Sequence, residues 1–87
     1  NSAAWRDDPI AWLREHGVGV TVGIEVSDGA ARVRHLVLDC GRRQALALLV
    51  EVRTPNRDPF VDLYLPADTT NRLDAMLDAI RKACGTK

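Results

Sequence analysis

The sequence predicts an α+β fold, a two-layer α-β-β-β-β-α arrangement. In it a four-stranded antiparallel meander packs against a C-terminal helix, with a short helix at the N-terminus. Three observations predict it. The stretch GVGVTVGIEV at residues 17–26 alternates with no break, each even position from 18 being β-branched and apolar. Three further segments alternate in the same way and are joined by connections short enough for a meander. Near the C-terminus the apolar residues recur at helical spacing.

The chain begins at Asn1 rather than methionine, which suggests processing or cutting. Residues 1–6 are expected as a flexible N-terminus or a cloning remnant, and residues 7–85 as a single domain. Asp7-Asp8-Pro9 opens the first helix, with an aspartate cap and proline at the first helical position. Ile10, Trp12 and Leu13 give it an apolar side, and Gly17 stops it after about two turns. A helix this short needs docking to persist.

The first strand follows directly. Ser27-Asp28-Gly29-Ala30 supplies an Asp-Gly pair that favours a type I′ hairpin. Counting outward from Asp28-Gly29 sets Glu25 opposite Arg32, Ile24 opposite Val33 and Val22 opposite His35. The second strand ends at Asp39-Cys40-Gly41-Arg42-Arg43. A third runs from about Gln44 to Arg53, with Leu46, Leu48, Val50 and Val52 on one face. Thr54 to Pro59 is a two-proline turn, and a fourth strand runs from Phe60 to Leu65. Pro66 closes it, and Asp68 or Thr69 caps the last helix. There Leu73, Met76, Leu77, Ile80 and Cys84 share a stripe, Asp78 pairs with Lys82, and Gly85 is the stop.

On this register the helix-covered face holds Val18, Val20, Val22, Ile24, Val26, Val33, Val37, Leu46, Leu48, Val50, Val52, Val61, Leu63 and Leu65. The second face collects Gly19, Thr21, Gly23, Glu25, Arg32, Arg34, Leu36, Leu38, Ala45, Ala47, Leu49, Glu51, Arg53, Phe60, Asp62 and Tyr64. A solvated sheet face is normally polar throughout. One end of this one is glycine, alanine and leucine, the mark of a contact surface. Candidate partner-binding residues are therefore Gly19, Thr21, Gly23, Leu36, Leu38, Ala45, Ala47, Leu49, Phe60 and Tyr64. Three occupants fit: the N-terminal helix folded back through Trp5, Ile10 and Trp12, a second copy of the chain, or a nucleic-acid strand or different protein. The glycines and alanines suit close approach by another backbone.

For single-stranded nucleic acid the candidates are Arg32, Arg34, Arg53 and Arg57 beside Phe60 and Tyr64. Strands followed at once by a helix, with the step Leu63-Tyr64-Leu65-Pro66, are similar in layout to the positive cofactor four family of transcriptional coactivators. That resemblance is topological and covers about residues 31–84. It implies a dimer that binds single-stranded DNA on a sheet face. The chain departs from the family in having almost no lysine and few aromatics on the sheet, and nucleic acid wants more aromatic platforms than this.

Composition narrows the function classes. The chain has 87 residues, enough for one small domain that buries only about 60–65% of its unfolded surface. Twelve basic and twelve acidic residues cancel, which argues against a general binder of nucleic acid or membrane surfaces. Ten of the twelve basic residues are arginine, which with the many alanines suggests a GC-rich bacterial genome. Cys40 and Cys84 are too few for a disulfide framework or a metal site, so both are expected as free thiols in the cytoplasm. No apolar run is long enough to span a membrane and no signal-peptide pattern appears.

Catalytic chemistry is not indicated. His35 falls opposite Val22 as a lone structural histidine, and His16 fits a helix C-terminus. Asp7 and Asp8 read as a cap, and Asp74 with Asp78 as a solvated helix face. Gly17, Gly19 and Gly23 lie in one strand rather than a phosphate-binding turn, and neither Ser2 nor Ser27 sits in a nucleophile motif. Arg42-Arg43 reads as a solvated loop. The sequence points to a non-catalytic interaction or regulatory domain with no cofactor and no metal, homodimeric or bound to another protein. Single-stranded nucleic-acid binding is the second reading.

Overall fold

The computed structural model describes residues 2–41, 43–65, 77–80 and 82. Within them α1 (Ser2–Asp7) and α2 (Pro9–Glu15) precede four strands, β1 (Gly19–Asp28), β2 (Ala31–Asp39), β3 (Gln44–Val52) and β4 (Phe60–Tyr64). The strands form one open antiparallel sheet in the order β1-β2-β3-β4. Residues 77–80 and 82 are helical and are called α3 here. The expected caps at Asp68 and Thr69, the stripe members Leu73, Met76 and Cys84, and the stop at Gly85 lie outside the described residues. The architecture is the α+β meander that the alternation predicts.

The helix start follows its chemistry closely. Asp8 caps α2, its carboxylate accepting from the Ala11 amide at 3.1 Å, and Pro9 takes the first turn. Gly17 ends the turn with φ +87, a conformation open to glycine at no steric cost. Arg14 donates to the Val20 carbonyl at 2.9 Å and ties α2 to β1. The N-terminus differs from expectation: residues 2–7 form α1, and Trp5 is buried edge-to-face on Trp12 with ring centroids 5.4 Å apart. An indole offers so much apolar area that a six-residue helix docks rather than frays.

The hairpin turn also differs. Asp28 pairs with Ala31, so Gly29 and Ala30 are the loop residues. Only Gly29 has positive φ, +60, which matches a II′-type turn rather than I′. Near the turn Val26 pairs with Val33, but beyond it Val22 pairs with Leu36 and Val20 with Leu38. Between them β1 spends three residue steps where β2 spends two. That is a one-residue β-bulge, with Gly23 and Ile24 facing His35.

A one-residue shift turns every side chain to the opposite face. Val20 therefore sits on the same face as Leu36 and Leu38, while Val26 stays with Val33 on the other. The core lies on the face of Leu36, Leu38, Ala45, Ala47, Leu49 and Leu63, closed by Trp5, Ile10, Trp12 and Leu13 of the N-terminal helices and by Ala79 and Ile80 of α3. Val18, Val20, Leu63, Leu65 and Ile80 are buried as expected. The expected core residues Val22, Ile24, Val26, Leu46 and Leu48 are exposed, and Val33, Val37, Val50, Val52 and Val61 are only half-buried.

Cys40 is disulfide-bonded rather than a free thiol, and its sulfur lies 3.9 Å from the Ile80 carbonyl beside α3. No helix among the described residues is long and apolar enough to cross a membrane. The exchange of faces has a direct energetic consequence. Leu49→Ala is expected to cost ~2–5 kcal/mol by urea unfolding at any protein concentration. Leu46→Ala, in protein dilute enough to be monomeric, is expected to cost under ~1 kcal/mol.

Candidate interaction face

With the helices on one side, the opposite side of the sheet carries Thr21, Val26, Val33, His35, Val37, Leu46, Leu48, Val50, Val52, Phe60, Asp62 and Tyr64, with Asp28 and Ala31 at the hairpin end and Gly19, Asp39 and Gln44 at the other. Cross-strand rows fix this assignment. Val26, Val33, Val50 and Asp62 form one row, His35, Leu48 and Tyr64 a second, and Ala31, Val52 and Phe60 a third. Leu46 is 66% exposed, Val26 57% and Phe60 50%. Solvent-facing strands normally alternate toward polar residues, so a bare apolar field this wide marks a contact surface. Among the described residues nothing covers it. A shallow apolar hollow of about 290 Å³ opens on it, lined by His35, Leu46, Leu48 and Tyr64.

Polar groups within the field are few. His35 is exposed opposite Leu48, not enclosed in the core as expected. Tyr64 donates its phenol to the Asp62 carboxylate, which holds the phenol's pKa above its usual value. Desolvation and the Asp62 charge add to the same direction. The carboxylate therefore has a neighbour within its own strand.

The structure divides the expected partner-binding residues. Leu36, Leu38, Ala45, Ala47 and Leu49 are core beneath the helices and present no surface. The physical reason is the bulge, which puts them on the face that the N-terminal helix covers through Trp5, Ile10 and Trp12. Gly19, Thr21, Phe60 and Tyr64 do lie on the open side. Gly23 sits in the bulge, where an added Cβ would stand 3.4 Å from the His35 carbonyl oxygen. A Cβ at Gly19 would stand 3.2 Å from that of Asp39, so its neighbour is its own sheet. Val26, Leu46, Leu48, Val50 and Val52 belong to the open face and were expected in the core. The mid-strand Gly23 is the sequence signal for the bulge that reverses them.

The proposed nucleic-acid set is also divided. Arg32, Arg34 and Arg53 lie on the helix side, whereas Phe60 and Tyr64 pair with Val52 and Leu48 on the open side. All three arginines converge on Glu51, a carboxylate only 2% exposed. Arg32 donates to one oxygen at 3.2 Å together with Arg34, and Arg53 donates to the other at 2.8 Å. Arg32 also lies 3.8 Å from Glu25, a diagonal version of the expected pair. Arg53 reaches the Arg6 carbonyl at 2.7 Å and so anchors α1 to the sheet. Arg57 is exposed in the β3–β4 turn. Two buried donors, Trp12 Nε1 and Arg34 Nε, have no acceptor among the described residues.

Burial pushes the Glu51 carboxyl up, but the Arg53 hydrogen bond, the Arg34 charge and hydrogen bond, and the Arg32 charge outweigh it. Its pKa lies below the usual 4.5. Among the described residues no group of three or more His, Cys, Asp or Glu is placed to hold a metal ion. Comparison with protein-family models, with curated proteins and with solved structures gave no match.

Because the native carboxyl binds its proton less readily than the unfolded one, its stabilisation is present above about pH 4.5. It is lost as pH falls through the depressed native value. Glu51→Gln is expected to cost ~3 kcal/mol near neutral pH, since the arginines lose their partner charge. The same variant should flatten the acid limb of stability against pH, measured by urea unfolding between pH 7 and 3.

Proposed function

We propose that the chain is a non-catalytic protein–protein interaction domain that pairs with a second copy of itself through the open sheet face. The observation that carries this is the apolar field of Val26, Leu46, Leu48 and Phe60, which no described residue covers while the three described helices pack on the other side. Four strands at ~4.8 Å spacing and ~30 Å length give a footprint on the order of 500 Å² in plan. A corrugated face of that size approaches the ~800 Å² per partner of a standard interface. Within the apolar field the charge is Asp62, while Asp28 and Asp39 lie on the same side at the two ends of the strands, toward the rim of a paired face. A chain of 87 residues has a thin core, and a sheet-on-sheet sandwich adds a second one.

A partner of different sequence is the alternative occupant. Single-stranded nucleic-acid binding is less favoured, because its arginines and aromatics stand on opposite faces and the arginines are engaged with Glu51. The disulfide at Cys40 favours an oxidising compartment over the cytoplasmic one first expected.

Sedimentation equilibrium at tens of micromolar is expected to give twice the chain mass. Leu48→Asp, on the same face, is expected to give a monomer with an unchanged circular dichroism spectrum. A wild-type chain still monomeric at several hundred micromolar contradicts the self-pairing.

A further inference from the structure

At the hairpin end of the sheet, on the helix side and away from the open face, a cup of about 330 Å³ lies over Glu51. Ser27, Gly29, Ala31, Arg32 and Arg53 line it. Three guanidiniums here face two carboxylates, Glu51 and Glu25, leaving one positive charge in excess. Every hydrogen bond described for the three arginines leaves from Nη2. The Nη1 and Nε groups of Arg53 donate in none, and its side chain is 40% exposed.

We propose that this cup is a binding site for a small oxyanion group, a carboxylate or a phosphate, held between Arg32 and Arg53. The remaining N–H groups, Nε and Nη1 of Arg53 and the unengaged donors of Arg32, offer single charge-assisted hydrogen bonds to the oxygens of such a group. The charge of Glu51 is compensated at the cup, because both its oxygens already accept from arginine. That carboxylate fixes the two guanidiniums in place. An anion then meets prearranged donors and orders little on binding. Ser27 pairs with Arg32 across the hairpin and places a hydroxyl on the same wall. The cup has room for a small organic anion, not only an inorganic one. Its location on the helix side makes the site independent of self-pairing through the open face.

The test uses the full chain with inorganic phosphate and citrate as separate probes, each against sodium chloride at matched ionic strength. Saturable amide shifts centred on Ser27 to Arg32 in two-dimensional NMR are expected, with dissociation constants in the millimolar range. Arg53→Gln and Arg32→Gln should each weaken binding about 10-fold, and Arg43→Gln, at the opposite end of the strands, should leave it unchanged. Saturation with phosphate alone assigns a phosphate site, and with citrate alone a carboxylate site. Should a glutamine variant not fold, Arg53→Lys, which keeps the charge and loses the Nε and Nη1 donors, should still weaken binding. Shifts that are linear and equal to those in chloride overturn the proposal. So does saturable binding that survives in both glutamine variants.

Discussion

Between Val22 and Glu25, β1 contains one residue more than the strand it pairs with, and the rest of the molecule follows from that excess. Side chains in a strand alternate, so the extra residue turns Val20 to one face and leaves Val26 on the other. Leu36, Leu38 and Leu49 come to lie beneath the helices, and Leu46 and Leu48 are left outside. The bulge consists of Gly23 and Ile24 opposite His35. Of the two mid-strand glycines, Gly19 answers to the sheet's own geometry, since a Cβ there would stand 3.2 Å from that of Asp39.

At the hairpin end the helices no longer cover the inner face, and charge takes over from packing. Glu51 occupies the next inward position after Leu49, too deep for water to solvate it well. Arg32, Arg34 and Arg53 arrive from two strands to neutralise it. A buried ion pair adds little net stability against an apolar core, but losing one partner is costly. The cluster therefore specifies the pairing of β2 with β3. Through the Arg53 bond to the Arg6 carbonyl it also holds α1 in place. Because these arginines point inward, they cannot share a surface with Phe60 and Tyr64. A basic and aromatic set that is continuous in sequence is divided by the thickness of the sheet.

Elements whose signals are local were legible in the sequence. The Asp8-Pro9 helix start, the Gly17 stop and the four strands in meander order each rest on one or two residues with a specific backbone role. The two layers were legible as well. Which face met the helices was not, because β2 and β3 are apolar on both sides. Leu36, Leu38 and Leu49 compete with Leu46, Leu48 and Val50, and parity alone decides between them. Parity was carried from β1 by counting, and a bulge breaks the count without breaking the alternation. The hairpin added a second displacement, since Gly29 and Ala30 form its loop rather than Asp28 and Gly29. Trp5 was legible only as an occupant for the second face, and it became the anchor of α1. The Gly/Ala/Leu face is covered by the N-terminal helices, the first of the three occupants the sequence allows, and the exposed apolar residues are ones expected in the core.

The face assignment is tested most directly by nuclear Overhauser contacts in methyl-labelled protein. Contacts from the Trp5 and Trp12 indole protons to the methyls of Leu36, Leu38 and Leu49 are predicted, with none to Leu46 or Leu48. Indole contacts to Leu46 and Leu48 with none to Leu36 and Leu38 would contradict the bulge, the core and the open face together.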